Sequence, residues 1–318
     1  MGMMAHDVTQ DVVVPVRHRS RAGLGFAVLA AASFGLSGSL ASGLMDAGWS
    51  PAALVLCRVS VAALVLAVPA VLALRGRWAL LRPHAALVTS YGVVAVAGCQ
   101  LAFFNAVDRL PVAIALLLEY LAPVAVVGWL WLRHHQRPGR LTVTGAAVAG
   151  VGLLLVLDVL GAGSVDALGV VWALLAMVGC AFFFVVSAGE DHGIPPIVLA
   201  AGGLATGAVA LAVAGLVRAV PMSASTGSAA YRGVEVPWWL PILGLGVVTA
   251  AVAYVAGIFA SRSLGARMAS FAALLEVLFA VIFAWLLLGQ MPHLVQLAGG
   301  VFVLAGVVLV KLGEPNAD

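Results

Sequence analysis

Charge is what this sequence lacks most. Only 9% of its 318 residues are Asp, Glu, Lys or Arg, and Lys311 is the single lysine. An ordinary soluble domain is about 25% charged and about 45–50% apolar, whereas 64% of this chain is apolar. A globule of this length cannot bury so much apolar surface. The composition therefore excludes a soluble enzyme, a secreted disulfide scaffold, a nucleic-acid binder and a disordered chain.

Cysteine is scarce as well. Cys57, Cys99 and Cys180 all fall inside apolar runs, their number is odd, and no metal-ligand spacing accompanies them. We interpret them as small buried hydrophobes. The seven histidines lie in the tails or at the ends of apolar runs, so no metal site is predicted. The phosphate-binding pattern Gly-x-x-x-x-Gly-Lys is also missing, which argues against direct use of ATP. No cofactor is predicted.

Long apolar runs make up most of the chain instead. A helix needs about 20 apolar residues to cross a bilayer, and ten stretches have roughly that length. They cover residues 23–44, 51–74, 84–107, 111–132, 141–157, 168–188, 194–217, 237–261, 268–288 and 292–310. The sequence therefore predicts an all-α polytopic membrane protein with ten transmembrane helices, whose surroundings are a lipid bilayer and which has no nucleic-acid partner.

The basic residues indicate how these spans are oriented. With a cytoplasmic N-terminus, twelve basic residues fall on the cytoplasmic side and only Arg109, Arg218 and Arg232 on the other, while Arg58 lies within a span. Positively charged loops favour the cytoplasm. We therefore expect a multi-pass protein of a bacterial-type inner (cytoplasmic) membrane with both termini cytoplasmic.

The two halves of the chain share a pattern. The Tyr-Gly-Val-Val of 91–94 matches the Leu-Gly-Val-Val of 245–248 at an offset of 154, and Leu118-Glu119 matches Leu275-Glu276 at an offset of 157. Five helices per half is an odd number, so the second half must cross the membrane in the opposite sense. Inverted repeats of this kind are typical of secondary transporters, with the substrate site near the midplane between the halves.

The repeat predicts the domain organisation. We place the repeats and the segments around them as follows: a cytoplasmic N-terminal tail at 1–22, the first five-helix repeat at 23–158, a linker at 159–167, the second five-helix repeat at 168–311 and a cytoplasmic C-terminal tail at 312–318.

Three full charges, Arg58, Glu119 and Glu276, lie inside the predicted spans. Charges at such depth are costly, and they usually pair with one another or face a water-filled cavity. Arg58 lies seven residues past Pro51 and Glu119 eight past Pro111, which places both about 10–12 Å below the same face. We expect an Arg58–Glu119 ion pair, which either locks two helices together or lines the substrate path.

Glu276 differs because no basic residue lies at matching depth in another predicted span. A medium of low dielectric constant disfavours the charged form of an unpaired carboxyl. Glu276 is therefore either a proton carrier, with protons as the coupling ion, or a protonated structural side chain bonded to a backbone carbonyl.

Neutral polar residues complete the set of candidates. Gln100, Asn105, Tyr120 and Tyr254 are candidates for the substrate pathway, and hydrogen bonding between helices is the alternative role for each. Gln100 and Tyr254 correspond at the offset of 154. Pro123 lies one turn after Glu119, and since proline removes a backbone hydrogen bond, we expect a kink there.

These features together resemble the drug/metabolite transporter superfamily, EamA type, over about residues 22–312. Several segments are more similar to bacterial threonine/homoserine exporters. They are the Gly-Ser-Leu-Ala of 38–41, the Leu-x-Arg ending at Arg58, Tyr91-Gly92-Val93, Leu118-Glu119-Tyr120 with Pro123, Val165-Asp166 to Gly169, and Glu190 to Gly193 with His192. The second half departs from the family pattern, with Val277 where members often have proline and Leu288-Gly289-Gln290 in place of Leu-Gly-Glu.

The resemblance implies two five-helix repeats around a central cavity and export of amino acids or similar metabolites, coupled to the proton gradient. A multidrug or organic-cation exporter would use Glu119, Tyr120 and the Trp129/Trp131 pair, but Arg58 would oppose a cation. A membrane-embedded enzyme is a remote alternative, because no acid/base or metal motif is present and the loops are short. We predict a secondary active transporter of a small molecule, working by alternating access, and not an enzyme.

Overall fold

The structure is a computed structural model that describes residues 16–107, 109, 112–134, 139–157, 166–189, 193–289 and 294–313. The predicted tails at 1–22 and 312–318 and the linker at 159–167 lie mostly outside these residues. Glu190 and His192, which contribute to the family resemblance, lie outside them as well, as does Gln290.

Ten helical rods account for most of the described chain, which confirms the predicted fold class. In order they are Val16–Asp46 (α1), Pro51–Leu74 (α2), 85–107 (α3), 112–134 (α4), Arg140–Leu157 (α5), Ala167–Ala188 (α6), Pro196–Leu216 (α7), 239–264 (α8), 266–288 (α9) and Leu294–Gly313 (α10). Within the described residues, six helical stretches are long and apolar enough to cross a membrane, and three shorter ones are apolar. The rods α4 and α9 are each interrupted, so neither forms a single long helix.

Local sequence explains where several rods begin and end. α2 starts with Pro51, and the Ser50 hydroxyl caps it by accepting from the Ala53 N–H at 3.3 Å. α1 begins at Val16 and not at residue 23, because the apolar run is extended by arginines, which favour helix. α8 and α9 follow each other without a loop, since Gly265 adopts φ 78° and ψ 160°, a conformation open to glycine.

The main helix contacts reflect the internal repeat. α1 packs against α8 and α9, and α6 packs against α3 and α4; α2 contacts α7, and α5 contacts α10. Each helix of the first repeat corresponds to the helix five places later in the chain. When every helix is replaced by its counterpart, the same set of contacts results. This is the arrangement of two inverted repeats around a pseudo-two-fold axis.

A small β-hairpin, absent from the sequence prediction, lies in the connection between α7 and α8. Strands Ala229–Tyr231 (β1) and Val234–Val236 (β2) pair antiparallel, and the two turn residues Arg232 and Gly233 both have positive φ, as in a tight hairpin turn. We call the end of the bundle that carries this hairpin the hairpin face. The opposite end, where α1 begins and α10 ends, is the termini face.

The hairpin is fastened to the bundle by Tyr231, whose hydroxyl donates to the Leu40 carbonyl of α1 at 2.7 Å. Burial, with a smaller contribution from the Asp46 carboxylate, raises the pKa of Tyr231 to about 12. The hydroxyl therefore keeps its proton, and its ability to donate, throughout the physiological pH range. Ser50 adds a second attachment, because its hydroxyl donates to the Pro221 carbonyl at 3.0 Å and accepts from the Ser223 N–H at 2.9 Å.

Glycines bring α5 and α10 into direct backbone contact. A Cβ added to Gly152 would lie 2.5 Å from the Val303 nitrogen and 2.7 Å from the Gly299 carbonyl oxygen, whereas one added to Gly150 would meet nothing within 4 Å. Small residues at such positions let membrane helices associate closely.

We predict that Gly152→Ala destabilises the protein and that Gly150→Ala, two residues away, does not. The added methyl group of Gly152→Ala must push two backbones apart, which typically costs about 1–3 kcal/mol. Thermal unfolding of both variants in detergent measures the difference. Equal melting temperatures for the two variants would contradict the close contact of α5 with α10.

Candidate functional site

Two adjoining cavities lie inside the bundle between the repeats. The larger has a volume of about 250 Å³ and follows α1 from Phe34 to Met45, toward the hairpin face. The smaller has a volume of about 80 Å³ and follows α1 from Phe34 back to Ala27, toward the termini face. Five residues line both cavities, and we call them the waist: Phe34, Gln100, Glu119, Tyr120 and Glu276.

The waist contains side chains of both repeats, and four of its five residues were predicted for the pathway. Arg58 lines the larger cavity and Tyr254 the smaller. Asn105 is the exception among the predicted residues. It lines neither cavity, because its side-chain amide donates to the Leu101 carbonyl of its own helix at 2.8 Å.

The interruption of α4 places Glu119 at a helix end. The first half of α4 ends at Glu119, and the second half begins at Ala122. Pro123 has no N–H, so it cannot bond to the Glu119 carbonyl four residues earlier. Leu121 instead bonds to the Leu118 carbonyl at 3.2 Å, a tighter turn. The carboxyl therefore projects from a break in the helix at the cavity.

The interruption of α9 places Glu276 at an equivalent break. The helix beginning at Leu275 follows a turn at Ala273 and Leu274, and the Glu276 N–H bonds to the Ala273 carbonyl at 2.8 Å. No proline marks this turn, so the sequence did not predict it. Each repeat thus contributes one carboxyl from the broken point of its fourth helix.

Arg58 bridges the repeats in a way that differs from the expected ion pair. It is only 3% exposed. Its Nη1 donates to the Gln100 Oε1 at 2.9 Å and its Nη2 to the Thr249 carbonyl at 2.5 Å. Among the described residues it forms no salt bridge with Glu119, because these two acceptors on α3 and α8 hold the guanidinium. Its buried Nε has no hydrogen-bond partner in the part of the chain that the structure describes.

Glu276 is less isolated than the sequence indicated. Tyr120 interacts with its carboxyl through the side chain, and both Glu119 and Arg58 lie within electrostatic range. The sequence places no basic residue at matching depth in another span, but Arg58 lines the same cavity as Glu276. The waist and its surroundings combine one guanidinium with two carboxyls.

Two of the cysteines also line the smaller cavity. Cys99 donates through its thiol to the Ala176 carbonyl at 3.3 Å and faces the Glu119 Oε1 at 3.7 Å. Cys180 lines the same cavity, and all three cysteines are free thiols. The sequence interpretation of Cys99 as a small hydrophobe missed its contact with Glu119. The one feature of the sequence that could have indicated a role for Cys99 in the site is its position next to Gln100.

Tyr254 and Phe34 connect the waist to the surrounding aromatic residues. The rings of Phe34 and Tyr254 meet edge to face at 5.4 Å, and the Arg58 guanidinium carbon lies 5.9 Å from the Phe34 ring centre. Cation–π contact at this range is favourable. Phe34, Thr249 and Cys180 carry no sequence signal, because each lies in an uninterrupted apolar run.

Among the described residues, no group of three or more His, Cys, Asp or Glu side chains is arranged to hold a metal ion.

Gly35 allows α1 to pack directly on the break that carries Glu276. A Cβ at Gly35 would lie 2.9 Å from the Glu276 carbonyl oxygen, 2.8 Å from the Phe279 Cβ and 3.0 Å from the Ala280 nitrogen. Gly38 lies on the same helix, and a Cβ there would meet nothing within 4 Å.

We predict that Gly35→Ala impairs function more than Gly38→Ala does, because it displaces the start of the second half of α9 and with it Glu276. A loss of transport of about tenfold or more is expected when a group in a site moves by about 1 Å. Transport rates normalised to the amount of folded protein measure the effect. Similar rates for the two glycine variants would show that the position of α9 against α1 is unimportant.

The fold and the site define a class of protein: a polytopic membrane protein of two inverted repeats with a cavity between them that charged, polar and apolar side chains line. The family model of the EamA-like transporter family matches residues 21–158 and again 167–312. The chain therefore belongs to the EamA-like transporter family, a family of transporters of small molecules.

Comparison with solved structures supports the fold alone. One structure, described only as a crystal structure of a protein, is similar with a TM-score of 0.71 and 18% identity, covering 93% of this chain and 97% of its own. No curated protein matches the chain.

Proposed function

We propose that this transporter exports small zwitterionic metabolites, amino acids such as threonine or homoserine, by alternating access and with protons as the coupling ion. The observation that carries the proposal is the grouping of one deeply buried guanidinium and two carboxyls around a single cavity between the repeats. An amino acid needs complementary charge for both its carboxylate and its ammonium group, and this cavity offers both.

Arg58 is the candidate partner of the substrate carboxylate. It lines the larger cavity and is almost fully buried, so a charge-assisted hydrogen bond there is little weakened by water. Its Nε has no partner among the described residues. The ammonium group then lies toward Glu119 and Glu276, which line the same cavity.

The walls of the larger cavity favour a small solute. A volume of about 250 Å³ lies below the range of about 300–1,000 Å³ that is usual for drug-sized ligands. α1 contributes Ser37, Ser39 and Ser42 to the lining of this cavity, and Phe103 and Leu116 contribute apolar side chains. A short hydroxylated side chain would find both hydrogen-bonding and apolar groups there.

The count of charges supports proton coupling. Arg58 can balance a single carboxylate, so the second must bind a proton to avoid an uncompensated charge. When the solute carboxylate occupies Arg58, the solute ammonium group balances one carboxyl and the other again requires a proton. Glu276, faced by Glu119, Tyr120 and Arg58, is the candidate for the carboxyl that takes up and releases this proton.

Orientation is part of the proposal. Twelve of the sixteen basic residues fall on the termini face if the chain crosses ten times. The positive-inside rule then places that face in the cytoplasm of a bacterial-type inner membrane. The larger cavity lies on the side of the hairpin face and is therefore the half of the path from which an exported solute leaves.

An organic-cation or multidrug exporter is the second candidate. The aromatic rings of Phe34, Phe183, Phe184 and Tyr254 around the smaller cavity favour it, since such rings attract cations. The buried charge of Arg58 and the small volume oppose it.

We predict that Arg58→Gln lowers threonine counterflow in proteoliposomes by roughly 30-fold or more, since removing one partner of a buried charged pair costs about 2–5 kcal/mol. Arg75→Gln is the matched control, because Arg75 is exposed at the end of the same helix. Uptake of labelled threonine and homoserine, with an organic-cation dye alongside, measures the effect. The second candidate would be favoured if the parent protein transports no amino acid and Arg58→Gln still transports the dye.

We also predict that Glu276→Gln abolishes the response of transport to a pH gradient while retaining exchange of substrate between the two sides. Glutamine is close to isosteric with protonated glutamate but cannot release a proton. Threonine flux across proteoliposomes with and without an imposed pH gradient provides the measurement, with Glu119→Gln measured in parallel. An unchanged pH response in Glu276→Gln would remove the proton role from this residue.

A further inference from the structure

The third helix of each repeat contains a π-helical segment. In α3 the segment is Tyr91–Gly98, and in α8 it is Gly244–Val252. The offset of 154 that relates the two repeats places these segments at equivalent positions. π-helical winding is rare, is seldom extended and is frequent at functional sites. Its occurrence at the same place in both repeats indicates a role that the duplication has kept.

The two segments also pack in the same way. Gly92 lies against Thr206 and the Gly203 carbonyl of α7, and its counterpart Gly246 lies against Val61 of α2. Neither site has room for a Cβ. Since α2 and α7 are themselves equivalent, each segment rests on the same helix of the opposite repeat.

One carbonyl in each segment is seen to accept a hydrogen bond from a side chain of the opposite repeat. The Tyr254 hydroxyl of the second repeat donates to Ala95 at 3.4 Å, and the Arg58 Nη2 of the first repeat donates to Thr249 at 2.5 Å. Ala95 and Thr249 correspond at the offset of 154. Both donors line the cavities, so side chains of the candidate site hold the two π-helical segments in place.

We propose that Arg58 and Tyr254 are positioning residues that hold two equivalent π-helical hinges, and that a substrate carboxylate binding Arg58 draws it off Thr249 and releases the hinge of α8. The second part of this proposal, the release of the hinge by substrate, rests on the proposed function. A carboxylate is a stronger acceptor for a guanidinium than a carbonyl is, so the exchange of partners is favourable. Tyr254 carries no charge for a substrate to attract, and the α3 hinge therefore stays held.

Hydrogen–deuterium exchange of the full chain in lipid nanodiscs tests the first part without any substrate. We expect Tyr254→Phe to speed amide exchange in 91–98 by about 3- to 10-fold, as for the loss of one hydrogen bond, and to leave 244–252 nearly unchanged. Arg58→Gln should do the reverse. Arg75→Gln should change neither segment.

An effect of each variant on only one segment shows that the hydrogen bond acts on that segment specifically. A variant that destabilises the whole protein would instead speed exchange in both segments. If both variants speed exchange in both segments equally, or in neither, the proposal is overturned. Should Arg58→Gln fail to fold, Arg58→Lys replaces it. Lysine keeps the charge but lacks the planar fork that reaches two acceptors at once, so exchange in 244–252 should again increase selectively.

The same measurement with saturating threonine tests the second part. We expect threonine to speed exchange in 244–252 of the parent protein, to leave 91–98 unchanged, and to have no effect in Arg58→Gln. If threonine is transported but 244–252 does not respond, release of the hinge by substrate is overturned. If threonine is not transported at all, the proposed function fails, while the substrate-free comparison of variants still decides whether the hinges are held.

Discussion

The structure depends on the balance of one buried guanidinium and two half-buried carboxyls between the repeats. In surroundings that lipid makes apolar, an uncompensated charge is costly. Arg58 is stabilised by Gln100 and the Thr249 carbonyl and approached by Glu119 and Glu276, so each group needs the others or a bound solute. An empty site with this composition carries one carboxyl more than Arg58 can balance. A proton removes that excess, and a zwitterionic solute changes which group each charge pairs with; these two changes are the physical basis of transport in our account.

Duplication explains how the groups come together. Each repeat contributes a carboxyl from the interruption of its fourth helix, Glu119 in α4 and Glu276 in α9. The interruptions arise by different means, a proline in the first repeat and a short turn in the second. Because the repeats are inverted, the two broken helices meet near the middle of the bundle from opposite directions. Helices of each repeat also pack against helices of the other repeat, so both halves contribute walls to the cavity.

The fold was largely predictable from sequence, and the contacts of the site were not. Ten apolar runs specify ten helices because the bilayer requires that length, and the depth of Arg58 and Glu119 follows from counting residues from Pro51 and Pro111. The partner of Arg58 did not follow, because a long side chain reaches acceptors on several helices and a backbone carbonyl such as that of Thr249 leaves no mark in the sequence. The sequence also failed to predict the break before Glu276, because no proline lies at this turn. It failed to predict the hairpin at 229–236, because tertiary contacts of Tyr231 stabilise it.

The account is tested most directly by asking whether the site requires both charges of its solute. Displacement of bound radiolabelled threonine from the purified protein should be measured with unlabelled threonine, with the amino alcohol that lacks the carboxylate and with the hydroxy acid that lacks the amine. We expect threonine alone to compete strongly, and each of the other two to bind at least about 100-fold more weakly, because, with one of the two carboxyls protonated, the loss of either solute charge leaves a buried charge unpaired. Equal competition by the amino alcohol would contradict the account, since Arg58 would then have no part in recognising the solute.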